Sequence, residues 1–510
     1  MLATIAPEVF KSFVEQAKLD IGHFQPELLL VLVVSGLIFA NAFMKRVDGR
    51  LLAWPALLGT LGALWLVIAR YDATPVVIFS QSLRIDRFAN FFSVVFLVGT
   101  AVTILLASMS KELADRPMGE FYAILLSAVI GMMLMAEAVD LLMIFVAVEL
   151  LSVPSYVLTG WIKKSKVSSE AALKYVIYGS VSAGLMLYGF SLFYGMTGSV
   201  KLSAIGDLVK ELVELLSRQE QPEGAKAMAA AVGLAAFLSF AGFAYKMAAV
   251  PMQFWAPDVY QGAPTAVTAW LSVTSKAAGV AIFIRFMDAL GLGRVMTAHL
   301  DWVFLVGLIS AITMTLGNLG ALHQTNVKRM LAYSSVAHVG YILMGVAAFG
   351  AAGAGWQAVA FYVVAYLLMN LGAFSCVILG ANELGNEELA SFKGLAYRAP
   401  RLAFAFAIFL ISLIGIPPTA GFSGKFQLFV VAVNQGLIWL AVVAAVNTAI
   451  SAYYYAKVLK TMFLEEAPAG ALRVPALGEL LVAAHVAAVV YLGVFFNQLV
   501  GWTREIGPLR

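Results

Sequence analysis

Long apolar segments recur along almost the whole chain and are separated by short polar loops. Each segment is about 20 residues long, which is enough for an α-helix to cross a hydrocarbon core of about 30 Å. Only helices and closed barrels satisfy their backbone in lipid, and the apolar positions do not alternate as barrel strands require. The pattern therefore predicts an all-α, polytopic membrane protein.

Fourteen membrane spans are predicted from these segments. They lie at residues 26–44, 51–70, 88–109, 119–137, 139–161, 169–196, 227–250, 263–287, 301–322, 328–350, 355–381, 401–434, 436–462 and 476–499. The seventh span continues past Pro251 as a second, broken piece to about Tyr260, and the twelfth is interrupted at Pro417-Pro418. Proline removes a backbone hydrogen bond and kinks or breaks a helix, so two broken helices are expected.

The two broken helices occupy corresponding places in two sets of five spans. Residues 119–290 hold spans 4–8 and residues 301–465 hold spans 9–13, with the broken helix fourth in each set. Such paired interruptions are typical of transporters built from internal repeats. We therefore expect two repeats, preceded by three N-terminal spans (1–110) and followed by a C-terminal span and tail (476–510). The polar insert at 197–226 is predicted to hold an amphipathic surface helix.

Composition excludes several classes of protein. Hydrophobic residues make up 62% of the 510 positions and charged residues 12%, against about 25% charged residues in ordinary soluble domains. No basic cluster with interleaved aromatic residues indicates a nucleic-acid partner. The single cysteine, Cys376, cannot form an internal disulfide or hold an iron–sulfur cluster. The segment GFSGK lacks the first glycine and the final hydroxyl residue of a phosphate-binding loop, so no nucleotide site is expected.

The distribution of Lys and Arg among the loops predicts the orientation in the membrane. Loops on one side carry sixteen of these residues and loops on the other side at most twelve. Positive residues accumulate on the cytoplasmic side. Because an even number of spans places both termini together, both are expected on the periplasmic side of a bacterial inner membrane.

Six ionisable residues inside predicted spans are candidates for an ion or proton path. They are Glu149, Lys174, Lys246, Lys276, His338 and Lys425. A lysine at membrane depth costs about 2.5–3.5 kcal/mol on insertion scales, and such residues usually mark ion or proton paths. Lys174 lies about one turn into its helix, so snorkelling to the surface is an alternative there. A structural role is the alternative for His338, because a lone buried histidine is often a packing residue.

Five further ionisable residues are expected to lie outside such a path. Arg285 and Asp288 lie near the end of the eighth span and are expected to face water. Glu137 and Asp140 flank a very short loop and are also expected to be solvated. Asp258 is expected to organise the linker beside the first broken helix rather than to carry protons.

Four long motifs carry a resemblance to a known family. They are VAVELLSVPSYVLTG at 146–160, KMAAVPMQFWAPDVYQGAPTAVTAWLSVTSK at 246–276, QTNVKRMLAYSSVAHVGYILMG at 324–345 and GIPPTAGFSGKF at 415–426. In sequence and in order they resemble the antiporter-like membrane subunits of complex I, the proton-pumping NADH:quinone oxidoreductase. The resemblance covers essentially all fourteen spans and extends more distantly to subunits of multi-subunit Na⁺/H⁺ antiporters.

The resemblance implies a proton-channel module of two inverted five-helix repeats, each with a broken helix. By motif position, the family's proton-transfer residues correspond to Glu149, Lys174, Lys246, Lys276, His338 and Lys425. Glu149 and Lys246 match a glutamate–lysine pair, and Lys425 matches the lysine of the second broken helix. It further implies that other membrane-arm subunits are the partners, and that flavin, iron–sulfur clusters and quinone belong to partner subunits rather than to this chain.

One mechanism and two alternatives follow from these expectations. In the mechanism, Glu149 keeps Lys246 charged, and their separation releases a proton through Lys276 and His338 towards Lys425. Quinone reduction in partner subunits would supply the energy, so the chain would belong to an enzyme without carrying redox chemistry. The first alternative is a subunit of a multi-subunit Na⁺/H⁺ antiporter, and the second is a non-conducting structural membrane subunit.

Overall fold

The computed structural model describes residues 7–43, 51–114, 116–218, 224–291, 301–349, 354–467 and 470–504. Helices make up most of these residues. The described ranges also contain a sheet of two short antiparallel strands, β1 (Val76–Ile78) and β2 (Leu83–Ile85).

Twelve helices make up the first half of the chain. The N-terminal part contains α1 (Pro7–His23), α2 (Gln25–Phe43), α3 (Ala53–Ala69) and α4 (Arg87–Met109). The next group is α5 (Met118–Glu137), α6 (Leu141–Thr159), α7 (Lys166–Thr197), α8 (Leu202–Leu216), α9 (Ala225–Met247), α10 (Trp255–Gly262), α11 (Thr265–Trp270) and α12 (Lys276–Ala289). A π-helical turn at Leu271–Ser275 joins α11 to α12 without a break. These bounds refer to the described ranges.

The second half of the chain continues the same pattern. It contains α13 (Trp302–Leu322), α14 (Val327–Ala347), α15 (Ala354–Leu384), α16 (Leu395–Arg398), α17 (Pro400–Ile414), α18 (Ala420–Asn434) and α19 (Ile438–Leu464). The last helices are α20 (Ala476–Val494) and α21 (Phe496–Arg504). Single 3₁₀ turns lie at Lys111–Leu113 and Leu389–Phe392.

The predicted all-α membrane architecture is confirmed. Among the described residues, twelve helical segments are long and apolar enough to cross a membrane, and α3 and α17 are shorter apolar helices. Together with α18, which follows α17 after an interruption, these segments account for the fourteen predicted spans. The assignment of residues 119–290 and 301–465 as repeats stays a prediction.

Both predicted helix interruptions are present. In the first, α9 ends at Met247, Ala248 adopts a left-handed conformation with φ of 58°, and the chain resumes as α10. In the second, α17 ends before Gly415, whose φ is 95°, and α18 follows. Glycine adopts positive φ without the steric penalty that a Cβ atom imposes, which suits it to end a helix in this way.

The predicted amphipathic helix is α8. One face of it is buried, through Leu202, Ile205, Val209, Leu212 and Leu216. These positions recur at the three- and four-residue spacing of one helical face, while residues between them face outward. The helix therefore lies along the surface of the bundle.

Two of the central helical segments are almost completely enclosed by the others. In the most apolar stretch of the continuous segment Thr265–Ala289, every residue is buried, and in that of Val327–Ala347, 94% of the residues are buried. The corresponding share is 22% in the peripheral helices α2 and α20. These two central segments carry Lys276 and His338. The outer helices instead expose large apolar side chains such as Trp65, as expected for a surface facing lipid.

Three ionisable residues that were expected to face water are buried, so that prediction is wrong for them. Arg285 is 2% exposed and forms a two-pronged ion pair with Asp86 at 2.7 and 3.0 Å. Glu137 is fully buried beside Arg70 at 2.9 Å, and Asp140 is 4% exposed and caps the start of α6. Their positions near helix ends predicted contact with water. Instead, β2 packs on the end of α5 and α8 packs on α12.

Close packing of α13 on α14 depends on small residues. A Cβ atom at Gly340 of α14 would lie 2.5 Å from the backbone nitrogen of Met314 on α13. A Cβ at Gly317 of α13 would lie 2.5 Å from the backbone nitrogen of Ala337. Because both contacts are to backbone, neither helix can make room by rotating a side chain.

We therefore expect Gly340→Val to destabilise the protein, by about 1–3 kcal/mol or more, because it overpacks a backbone contact. The matched control is Gly184→Val, at an exposed helical position with no atom within 4 Å of an added Cβ. Thermal aggregation of the purified chains in detergent would measure the difference. Equal transition temperatures for the two variants would contradict this description of the α13–α14 contact.

Candidate functional site

Lys246 lies in the last turn of α9, directly before the first helix interruption. The residue is fully buried, and its Nζ atom has no hydrogen-bond partner within the described part of the chain. The amine instead faces two aromatic rings, with Nζ 5.5 Å from the centre of Tyr245 and 6.0 Å from that of Tyr156. The negative faces of aromatic rings attract a cation at these distances.

Glu149 lies on α6, two turns before Tyr156, and is half-buried. Its carboxylate is close enough for its charge to act on Lys246. The two residues do not form a hydrogen bond, because Lys246 Nζ has none to a described residue. The structure therefore brings the predicted pair into electrostatic range without direct contact.

Lys276 begins α12, immediately after the π-helical turn. The residue is 2% exposed, and its Nζ atom donates a hydrogen bond of 2.6 Å to Ser335 Oγ on α14. The ring of Tyr260 lies 5.5 Å from the same Nζ atom. Single π-helical turns inside α-helices are frequent at functional sites, because the added residue changes where the following side chains point.

Gly279 permits a close approach between the helices that carry these two lysines. A Cβ atom at this position would lie 3.0 Å from Lys246 Cβ and 3.1 Å from the backbone nitrogen of Met247. Gly279 lies one helical turn beyond Lys276 on α12. The end of α9 therefore packs directly on the first turn of α12.

One face of α14 presents three polar groups at intervals of three residues, namely Ser335, His338 and Tyr341. His338 is 2% exposed, and its Nδ1 atom is 2.6 Å from the hydroxyl of Tyr362. Its ring stacks on Tyr366 with centroids 4.8 Å apart. Either partner in the histidine–tyrosine hydrogen bond can be the donor, according to the tautomer of the imidazole.

Lys425 lies in the second turn of α18, just after the second helix interruption. The residue is 4% exposed, and its Nζ atom donates to the carbonyl oxygens of Leu413 and Ile414 at 3.1 and 2.9 Å. These two residues end α17, where unpaired carbonyl groups carry partial negative charge. The same Nζ atom is 4.4 Å from the ring centre of Tyr341. The interruption therefore supplies the acceptors for this lysine.

Most of the predicted residues lie along one row, which is buried except at the half-buried Glu149. Side-chain contacts link Lys276 to Ser335 and Tyr341 to Lys425, while Lys246 and Lys276 are neighbours through the packing of their helices at Gly279. In spatial order the row contains Glu149, Lys246, Lys276, Ser335, His338, Tyr341 and Lys425. Ser335, Tyr341 and Tyr362 are not among the proton-transfer residues predicted from the sequence. The three-residue spacing within SSVAHVGY was a signal for the first two, because it places them on one helical face with His338.

Lys174 lies outside this row. Its side chain is 38% exposed and forms ion pairs with Glu170 at 2.8 Å and with Asp258 at 2.7 Å. Asp258 also accepts a hydrogen bond of 2.5 Å from Arg329. Asp258 of α10 thus joins α7 to α14, and Lys174 takes part in an ion-pair cluster near the surface of this chain.

The row consists of groups that can exchange protons. Amine, imidazole and phenol groups each bind and release a proton, and a serine hydroxyl can accept one hydrogen bond while it donates another. From Lys246 to Lys425 its groups are buried among the helices, so protons would move along them rather than into bulk water. The arrangement suits a proton relay more than the binding of a bulky substrate.

Comparisons with known proteins show the family to which the chain belongs. A family described as "NADH:quinone oxidoreductase/Mrp antiporter, TM" matches residues 138–451. The chain is 41% identical to NADH-quinone oxidoreductase subunit N of Anaeromyxobacter sp. (strain Fw109-5), over 98% of each protein. The chain belongs to the subunit N family of NADH-quinone oxidoreductase. The subunit N of Chlorobium chlorochromatii (strain CaD3) is also 41% identical, over 97% of this chain and 96% of that protein.

Chains of solved multi-subunit membrane complexes have the same fold. A chain of respiratory complex I from Thermus thermophilus with bound aureothin has a TM-score of 0.76 and 29% identity, over 93% of this chain and 98% of that chain. A chain of the Mrp complex from Dietzia sp. DQ12-45-1b has a TM-score of 0.76, over 95% of this chain and 97% of that chain. The second is 22% identical, so it supports the fold alone. The expected family resemblance is confirmed.

The hydrogen bond between His338 and Tyr362 predicts a difference between two similar substitutions. Tyr362→Phe removes the partner of a buried imidazole, so the free energy of unfolding should fall by about 1–3 kcal/mol. Tyr366→Phe is the matched control, because its buried hydroxyl has no partner among the described residues. Unfolding of the purified chain in micelles with a rising fraction of sodium dodecyl sulfate would measure both. A loss of stability in Tyr366→Phe as large as in Tyr362→Phe would contradict the assignment.

Proposed function

We propose that this chain is a proton-translocating membrane-arm subunit of NADH:quinone oxidoreductase. The observation that carries the proposal is the buried row from Lys246 to Lys425, in a chain 41% identical to NADH-quinone oxidoreductase subunit N over nearly its full length. Its members can each bind or relay a proton, and they are arranged between the first helix interruption and the second.

The distance between Glu149 and Lys246 controls the first step of the proposed mechanism. At an effective dielectric constant of about 20, two unit charges 4 Å apart interact by about 4 kcal/mol. A movement that brings Glu149 towards Lys246 therefore stabilises the charged amine. When the two separate, that stabilisation is lost and Lys246 releases its proton towards Lys276, whose helix packs on α9 at Gly279.

The second step passes along α14. Lys276 donates to Ser335, whose hydroxyl lies one helical turn before His338. The imidazole can take up and release a proton, with Tyr362 as a hydrogen-bond partner. Lys425 receives the proton beyond Tyr341 and releases it towards the periplasm, while the carbonyl groups at the end of α17 hold its amine in place.

The proposal extends to partners, cofactors and position in the cell. Quinone reduction in partner subunits drives the relay, and flavin, iron–sulfur clusters and quinone reside in those subunits. The chain lies in the bacterial inner membrane, contacts other membrane-arm subunits and lipid, binds no nucleotide, and has both termini in the periplasm. Bacterial relatives support the inner-membrane location, and the multi-subunit complexes that contain its structural neighbours support the membrane-arm partners.

The two repeats and Lys174 are also part of the proposed function, although neither is defined by the buried row. Residues 119–290 and 301–465 are proposed as the two inverted repeats, each with one of the observed interruptions. Lys174 is proposed as a proton-transfer residue, acting from the ion-pair cluster that it forms with Glu170 and Asp258.

Substitution of Lys246 tests the function directly. In the assembled complex, Lys246→Met should lower the number of protons translocated per electron by the share that this subunit carries, because methionine binds no proton. Lys393→Met is the control, because Lys393 is half-exposed and pairs with Glu465 at 3.5 Å on the surface, where an ion pair contributes about 0–1 kcal/mol. Proton uptake and NADH oxidation would be measured together in reconstituted vesicles.

Three results would lead to other conclusions. Full redox-coupled pumping by the assembled Lys246→Met complex would exclude the proposed mechanism. Sodium-dependent transport in proteoliposomes would favour a subunit of a Na⁺/H⁺ antiporter. A chain of the Mrp complex has the same fold as this chain. Impaired assembly with normal proton flux in the complexes that do form would indicate a structural subunit.

A further inference from the structure

A cluster of charges, also enclosed by helices, lies outside the buried row, where α2, α3 and α5 meet. Arg70 follows the last residue of α3, and its guanidinium contacts Glu27 at the start of α2 and Glu137 at the end of α5. One nitrogen, Nη2, is 3.0 Å from Glu27 Oε1 and 2.9 Å from Glu137 Oε1. Both glutamate side chains are fully buried. Two carboxyl groups therefore converge on one side of a single arginine.

The remaining donors of Arg70 are directed elsewhere. Its Nε atom donates to Asn90 Oδ1 on α4 at 2.9 Å, and its Nη1 atom donates to the carbonyl oxygen of His23 on α1 at 2.8 Å. Nη1 also reaches Glu27 Oε2 at 3.4 Å. These bonds fix the guanidinium and leave it no donor for the second oxygen of Glu137.

That second oxygen, Glu137 Oε2, is buried and has no hydrogen-bond donor among the described residues. The Glu27 and Glu137 carboxyl groups lie side by side, because one oxygen of each contacts the same nitrogen of Arg70, Nη2. Two ionised carboxylates cannot form a hydrogen bond, because neither has a proton to donate. A proton on one of the two carboxyl groups would supply the hydrogen-bond donor that is otherwise missing between them.

The charges of the cluster do not balance if both glutamates are ionised. Two carboxylates and one guanidinium leave a net charge of −1 in a site where both carboxyl groups are fully buried. Two carboxylates that share a site repel each other, so that one of them retains its proton. A single proton makes the cluster neutral and supplies the missing donor.

Other ionisable groups on the packed elements do not supply the missing positive charge. These groups are Lys11, Glu15, Lys18, Asp20 and His23 of α1, Arg84 of β2, Asp86 and Arg87 beside the start of α4, Glu120 of α5, Asp140 before α6, Lys201 before α8 and Arg285 of α12. Lys201 pairs with Asp140 at 3.2 Å, and the side chains of Lys11, Glu15 and Lys18 are exposed. Asp86 pairs with Arg84 and Arg285, and Arg87 pairs with Asp72 at 3.1 Å. Asp20 accepts from the Phe79 amide, the His23 side chain is exposed, and Glu120 lies at the opposite end of α5.

We propose that Glu27 and Glu137 bind one shared proton beneath Arg70, which makes this junction a proton-binding site. The shared proton fastens the three N-terminal membrane helices to α5. Both glutamates lie outside the segment 138–451 that matches the antiporter family. Loss of the proton leaves two carboxylates on one guanidinium, and their repulsion acts directly across the α2–α5 contact.

Infrared spectroscopy of the full-length protein, exchanged between H₂O and D₂O at neutral pH, detects such a proton as a protonated-carboxyl band. Glu27→Gln and Glu137→Gln should each remove the same band, because the remaining carboxylate then pairs with Arg70 alone and ionises. The double variant should lose no more band than either single variant. Glu120→Gln is the matched control on α5, at a carboxylate that accepts a hydrogen bond from Asn41, and should leave the band unchanged.

Two outcomes of this experiment would overturn the proposal. If neither single variant loses any protonated-carboxyl band, both glutamates are ionised and no proton is shared. If the double variant loses twice the band of each single variant, each glutamate holds its own proton. Spectra of Glu149→Gln assign any contribution from the partly buried carboxyl of the buried row.

A measurement of stability tests the fastening role separately. Raising the pH from neutral to alkaline should lower the unfolding temperature of the wild-type chain more than that of Glu137→Gln. The variant has no shared proton to lose, because Glu27 and Arg70 form a neutral one-to-one pair in it. An equal decrease in both proteins would show that the shared proton does not hold the helices together.

Discussion

The burial of three amines inside an apolar helical bundle is the constraint on which the structure of the proposed path depends. Lys246, Lys276 and Lys425 are 0%, 2% and 4% exposed. Insertion of a lysine at membrane depth costs about 2.5–3.5 kcal/mol, so each one needs compensation from its surroundings. None of the three forms an ion pair with a carboxylate in the described ranges. Their partners are aromatic rings, a hydroxyl group and backbone carbonyl groups.

The two helix interruptions contribute to this compensation in different ways. At the second, the end of α17 gives two free carbonyl oxygens to Lys425, which no continuous helix would leave available. At the first, α9 ends one residue after Lys246, and Gly279 lets this end lie against α12. Neutral partners hold the amines without fixing a proton on them as a carboxylate would. This property suits a relay, because each group must both receive and release a proton.

Local pattern was sufficient to predict much of this arrangement. The spans, both interruptions and the buried lysines follow from apolar length, proline position and the presence of charge within apolar sequence. The links between these residues could not be predicted, because Ser335 and Tyr341 join them through contacts between helices distant in sequence. Lys174 satisfied the same local criteria, yet the fold places it in a surface ion-pair cluster.

The wrong predictions have a related physical cause. A position near a helix end predicts contact with water. Arg285 and Glu137 are nevertheless buried, because other elements of the fold pack near the ends of their helices. Burial at a helix end depends on which distant elements pack there. The local sequence around the helix end does not show which elements these are. Their charged partners, Asp86 and Arg70, come from parts of the chain distant in sequence, so the sequence alone does not predict these pairs.

The central claim is that the buried groups form one continuous path rather than two separate ones. The most direct test is the number of protons translocated per electron by assembled complexes with Lys276→Met, Lys425→Met and the double substitution. A single path predicts that the double variant loses no more than either single variant, because one gap already interrupts the relay. Losses that add in the double variant would contradict the claim, because they would show that the two lysines serve independent paths.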